Sequence, residues 1–251
     1  MYFKPAHGFL YLAQGFKLIW HPDVRHFVLI PLLLNVVVFA LLLIAGMHEL
    51  RAGLDWLNAS IPAWLHWIDW LIGPVFFLGI LMAGFYCSLL IANLLAAPFN
   101  GLLAEAVHRT LQTASMPPAE SGIMGFFKQA GPALMNEIRK IGYYLLRVIP
   151  LLILFLIPGL NLLAPFIWFA FTAWLLALEY IEFPLAIHSV EFGEIKRIAQ
   201  HNRMLVFGFG AALELLMMIP VLNFLIMPAA VAGATLMTLK NNLAESHISH
   251  K

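Results

Sequence analysis

Long uncharged runs separated by short polar clusters dominate the hydropathy pattern of this chain. From Trp70 to Ala104 there is no Asp, Glu, Lys or Arg across 35 residues, the longest such run in the chain. As one helix it would measure roughly 52 Å, against a hydrocarbon core of about 30 Å. Phe27 to Met47 is a second uncharged run of 21 residues, long enough for one crossing. Pro31 falls in its first turns, where a missing N–H costs little, and Asn35 is its one strongly polar side chain. Two further runs, Val148–Leu178 and Met204–Leu239, are uncharged apart from Glu214.

These last two runs are each interrupted by the same word. Ile157-Pro158-Gly159-Leu160-Asn161-Leu162-Leu163 matches Ile219-Pro220-Val221-Leu222-Asn223-Phe224-Leu225, 62 residues later, and Pro165 or Pro228 follows. An Ile-Pro-x-Leu-Asn-x-Leu repeat predicts two copies of one helix–turn–helix unit. Whether they cross is decided by basic residues. If both enter and return on one side, thirteen of the fourteen Lys and Arg lie together, which the positive-inside rule favours. Their arms, at about 10–15 residues, would then be too short to span. Proline turns at depth free backbone groups that must find protein, Asn side chains or water.

The remaining segments are polar or short. Residues 6–20 place Phe9, Leu12, Phe16 and Ile19 on one face, which predicts a short interfacial helix with Tyr11 and Trp20 at headgroup depth. His21 to His26 reads as a break. Residues 48–69 form a polar link bearing Trp56, Trp64 and Trp67, an interfacial aromatic belt. Pro98 predicts a kink or stop in the long run. Residues 105–147 form a basic cytoplasmic helical region with a loop near Met116-Pro117-Pro118 and Glu120-Ser121-Gly122, and helix resuming from Phe126.

The fold class is therefore an all-α integral membrane protein. It has two long transmembrane helices (27–47 and 70–104), two half-spanning, re-entrant helical hairpins (148–178 and 204–239) and an N-terminal interfacial helix (1–26), all in one membrane domain. Composition agrees: 62% hydrophobic against 11% charged residues, where soluble domains carry about 25% charged. A net charge of +1 without a basic run offers nothing to nucleic acid. The single Cys87, inside an apolar run, reads as a packing residue. No apolar run followed by a small-residue cleavage site marks a signal peptide.

Few residues carry chemistry. Asp23-Val24-Arg25-His26 precedes the first crossing, where a helix start offers unpaired N–H groups and Arg25 a forked cation. His26 adds charge when protonated. Together they suit a small oxyanion. The competing reading, which local features favour, makes Arg25 and His26 interfacial anchors on lipid phosphate. Asn93, Asn100, Glu105 and Arg109 surround the end of the long crossing, with Glu105 and Arg109 at i, i+4. They read as a solvated ion pair or as a polar pore lining. Glu179, Glu182 and His188 resemble metal ligands only loosely, because Pro184 interrupts the spacing and no HExxH is present. Glu214 must face protein, water or a basic partner. Without a nucleotide loop, a GxSxG or paired cysteines, no enzyme and no cofactor are expected.

Several segments together resemble the CysZ family of bacterial sulfate permeases. They are Phe27-Val28-Leu29-Ile30-Pro31-Leu32-Leu33, Ala97-Pro98-Phe99-Asn100-Gly101-Leu102-Leu103-Ala104-Glu105, Ala173-Trp174-Leu175-Leu176-Ala177 through Phe183-Pro184, and Met218-Ile219-Pro220-Val221-Leu222-Asn223 through Ala232-Gly233-Ala234-Thr235. The resemblance implies a multi-pass protein of the bacterial inner membrane that imports sulfate for cysteine synthesis. Partners implied are sulfate or related oxyanions such as sulfite, the lipid bilayer and further copies in a homo-oligomer. In that family a Gly-Leu-Arg-Arg-like segment at the start of the first long helix holds the anion. Here it corresponds to Asp23, Val24, Arg25 and His26, with Gly replaced by Asp and the second Arg by His. The alternative function is a non-transporting membrane scaffold or insertion protein.

Overall fold

The computed structural model describes residues 5–60, 69–111, 123–188, 190–219 and 222–243, and among these every regular element is helical. Trp64 and Trp67 of the expected belt, the Met116–Gly122 loop, Pro220 and the tail beyond Leu243 lie outside them. The helices are α1 Pro5–Leu18, α2 His26–Ser60, α3 Asp69–Leu111, α4 Ile123–Leu156, α5 Ala164–Ala186, α6 Phe192–His201, α7 Arg203–Met217 and α8 Asn223–Lys240. The chain divides into two compact units, one of residues 27–99 and one of residues 1–26 with 100–251.

In the smaller unit α2 and α3 run antiparallel. Gly84 approaches Leu42 and Leu43, and Gly46 approaches Ile80. Ser88 donates a hydrogen bond of 2.9 Å from its hydroxyl to Asn35 Oδ1. This is how the polar residue of an otherwise apolar run is satisfied: a small residue on the facing helix admits a short interhelical bond. Outward positions such as Leu33, Leu41 and Ile44 are 60–67% exposed, as lipid-facing side chains are.

Both long helices exceed the lengths expected of them. Helix α2 continues past Met47 through Glu49 and Arg51 to Ser60, so most of the expected polar link is helical. Helix α3 does not stop at Pro98 but continues to Leu111. Proline removes one N–H, whereas ending the helix there would release several backbone groups in an apolar setting.

In the larger unit α1, α5, α7 and α8 form the core. The contacts are set by glycines. A Cβ on Gly8 would land on the backbone of Leu205, Gly208 and Phe209 of α7. One on Gly15 would land on Ala229 and Gly233 of α8, and one on Gly210 on Ala173 of α5. Backbones this close have room only for hydrogen. The apolar stripe expected to face lipid is in part turned to protein: Leu12 and Ile19 are buried, at 0% and 2% exposure. Gly8, Leu12, Gly15 and Ile19 share the buried face, and Phe9 is left outside it.

These contacts also fix direction. Tyr11 and Leu12 meet Gly233 while Gly15 meets Ala229, so α1 runs antiparallel to α8. Ala173 meets Gly210 while Thr172 meets Glu214, and Pro165 lines one groove with Met218, so α5 runs antiparallel to α7. The two repeated words thus form two turns at the same end of the unit. In the first, Gly159 adopts φ +87° and Leu160–Leu162 is a short 3-10 turn. In the second, Leu222 N–H closes on Ile219 O at 3.0 Å. The helices that carry the first hairpin extend beyond its uncharged arms, since α4 has 34 residues and α5 has 23. By length and hydropathy the described candidates for crossing are His26–Glu49 and Ala164–Ala186.

If the glycine contacts hold α1 in place, Gly15→Val should destabilise the protein in detergent by about 3 kcal/mol. A thermal scan would show the lowered midpoint. Gly101→Ala, which enters open space, should stay within about 0.5 kcal/mol of wild type.

Candidate functional site

The segment after Leu18 leaves α1 at the end of the unit that carries both hairpin turns. Four backbone hydrogen bonds wind it tightly. His21 N–H donates to Leu18 O, Trp20 N–H to Lys17 O, and both Val24 and Arg25 N–H to His21 O, at 2.9–3.3 Å. Val24 is fully buried and acts as the plug of the turn. Asp23, Arg25 and His26 are exposed beside it, and α2 starts at His26. The Asp23 carboxylate lies 3.5 Å from His21 Nδ1, and the Asp23 N–H donates to that nitrogen at 3.4 Å. It is directed to His21, not to Arg25. Among the described residues no acid pairs with Arg25 or His26. A forked cation and a titratable ring at a helix start can hold an oxyanion through charge and through N–H groups.

The second expected set is only partly described. Asn93 lies on α3, but its side chain is outside the described residues. Asn100 is half-buried. Glu105 and Arg109 make the expected i, i+4 pair at 3.6 Å, with the arginine largely exposed.

Two polar clusters were not foreseen as sites. Lys140 of α4 is 7% exposed and donates to Glu137 at 2.8 Å and to Glu182 at 2.9 Å, with Glu179 at 3.3 Å. Burial pushes its ammonium down, but bonds to Glu137 and Glu182 and the field of Glu182 and Glu179 outweigh that and hold its pKa above the usual value. The Tyr144 hydroxyl is enclosed without a hydrogen-bond partner among the described residues, and burial together with Glu179 pushes its pKa up. Next to it Tyr143 accepts a 3.1 Å bond from Trp174 Nε1 and lies under the Arg147 guanidinium, 3.6 Å from the ring centre. Arg139 pairs with Glu191 at 3.0 Å, fastening α4 to the start of α6.

The other cluster is a histidine pair. His108, near the end of α3, is 5% exposed, and its ring centre is 5.7 Å from that of His188. Its Nδ1 is enclosed without a hydrogen-bond partner among the described residues. Burial and the neighbouring His188 push its pKa below the usual value. Thus Glu179 and Glu182 turn to Lys140, and His188 turns to His108, which separates the three residues that loosely suggested metal ligands. Spacing within one segment carried no sign of these pairings, because the partners come from helices 40 to 80 positions away.

Compared with protein families, residues 11–228 match the family described as sulfate transporter CysZ/etoposide-induced protein 2.4. The match covers most of the chain, and the protein belongs to this family. The family description is that of a transporter.

Removing the central cation tests the first cluster. Lys140→Met leaves three carboxylates without their partner, and should cost about 3 kcal/mol at neutral pH, a low value for a buried pair because the acids are partly exposed. Denaturation at pH 7 and pH 4 should show part of that loss recovered in acid. The second cluster has the opposite sense. The unfolded chain binds a proton near pH 6.5 that folded His108 resists, so stability should fall as pH drops below about 6.5. Unfolding midpoints at pH 7.5 and 5.5 should differ less in His108→Gln than in wild type.

Proposed function

We propose that this chain is a sulfate permease of the bacterial inner membrane that admits sulfate for assimilation into cysteine. The observation that carries this reading is Arg25. It stands at the start of a membrane-length helix, exposed, without an acidic partner among the described residues, at the end of the bundle where both hairpin turns lie. A dianion passing an apolar barrier needs such a fixed cation, since an unpaired charge in hydrocarbon is costly. The family description supports sulfate as the solute.

In this reading the two hairpins enter the bilayer from one side and turn within it. Helices α7 and α8, at 15 and 18 residues, reach about 22 and 27 Å, less than the hydrocarbon thickness. Helix α5 is longer, but Glu179 and Glu182 are held at the level of Lys140, so its uncharged part from Ala164 to Leu178 is only 15 residues. Apolar side chains around the turns, including Leu162, Phe166 and Met218, are 66–75% exposed, which suits contact with lipid or with another copy in a homo-oligomer. His26 adds charge to the site when protonated, and sulfite or a related oxyanion fits the same donors. The polar end of α3, with Asn93, Asn100, Glu105 and Arg109, is proposed as pathway lining.

Uptake of labelled sulfate into proteoliposomes tests the reading. Wild type should give protein-dependent uptake, and Arg25→Ala should reduce it about tenfold or more, as loss of a charge-assisted anion contact does. Arg25→Lys should keep part of it. No protein-dependent uptake in wild type would reject the proposal in favour of a non-transporting scaffold.

A further inference from the structure

Separate from the arginine site, the larger unit carries an open groove of about 500 Å³ between α4, α5 and α7. Its size is that of a small-molecule pocket. Leu152 and Phe155 line it from α4, Trp168 and Phe169 from α5, and Glu214 and Met218 from α7. Phe155 and Trp168 meet edge to face, with ring centres 6.0 Å apart at 72°. Three of the seven lining residues, Phe155, Trp168 and Phe169, are aromatic, and aromatic faces attract cations.

Glu214 is the feature an apolar groove does not need. It is the sole acidic or basic residue between Met204 and Leu239. Its Oε1 contacts the Thr172 hydroxyl, the backbone of Ala173 adjoins the carboxyl, and its Oε2 is enclosed without a hydrogen-bond partner among the described residues. The Thr172 hydroxyl has one hydrogen, and it also lies 3.0 Å from Trp168 O and 3.2 Å from Phe169 O. It cannot satisfy the carboxyl and both carbonyls together. No described Lys, Arg or His forms an ion pair with Glu214.

We infer that this groove is a binding site for a lipophilic organic cation, held against the Phe155, Trp168 and Phe169 rings with Glu214 as its counter-charge. Charge complementarity selects this occupant. A lipid tail would gain from the rings but not from the carboxyl, and an anion would be repelled by it. A bulky cation of low hydration uses both. The site is independent of the sulfate reading, because none of its residues belongs to the α1–α2 turn.

The test uses the full-length protein in detergent micelles and labelled tetraphenylphosphonium as probe, measured by equilibrium dialysis. Neutral triphenylphosphine oxide, of similar shape, is the comparator. Wild type should bind the cation saturably, near one per chain, and about tenfold or more tighter than the neutral compound. Glu214→Gln, which keeps the shape and the Thr172 contact, should bring the two affinities together. Equal binding of cation and neutral probe by wild type overturns the inference and leaves a lipid crevice or an interface with a second copy. So does unchanged cation binding in a Glu214→Gln protein that elutes as wild type does. If that variant misfolds, the wild-type comparison decides alone.

Discussion

The larger unit depends on how closely helix backbones approach one another. Lipid is as apolar as leucine, so burying leucine between helices in a membrane gains little over leaving it in lipid. What does gain is dense backbone contact, and Gly8, Gly15, Gly210 and Gly233 permit it. They fasten α1 between α7 and α8 and α7 onto α5. Because α1 is fastened, the segment from His21 to His26 has a defined place, at the end of the bundle where the hairpins turn. Without that packing, Arg25 would be a basic residue on a loose amphipathic arm.

A second constraint is that charge in such a protein must be matched. Lys140 draws together three carboxylates from α4 and α5, and Arg139 reaches Glu191. These contacts gather charge at one level of the α4–α5 hairpin; between that level and the turn the one charged residue is Arg147, whose guanidinium covers the Tyr143 ring. Arg25 differs from these groups in having no acidic partner among the described residues, and that imbalance is what an anion would correct.

Much of this was legible in the chain. The uncharged runs marked the long helices, and the repeated Ile-Pro-x-Leu-Asn-x-Leu marked both turns, because proline and the residues around it interrupt a helix locally. The Glu105–Arg109 pair was readable from spacing alone. What was not legible depends on contacts distant in sequence. Leu12 and Ile19 form an apolar stripe equally suited to lipid and to protein, and only the glycines at 8 and 15 separate the two outcomes. Pro98 carries a local signal to break that the surrounding helix overrides. Lys140 with Glu179 and Glu182, and His108 with His188, join helices whose pairing no local pattern encodes.

Depth is the quantity on which the account turns. Single cysteines placed by Trp20→Cys, Leu162→Cys and Leu222→Cys in a Cys87→Ser protein, each carrying a fluorophore, would report it through quenching by lipids with nitroxides at graded positions along the acyl chain. The account predicts that all three sit at one level within the hydrocarbon, with His201→Cys well outside it. If the Trp20 position instead tracked His201 at the surface while the two turns lay deep or on opposite faces, the cation and the turns would not share a site, and the account would fail.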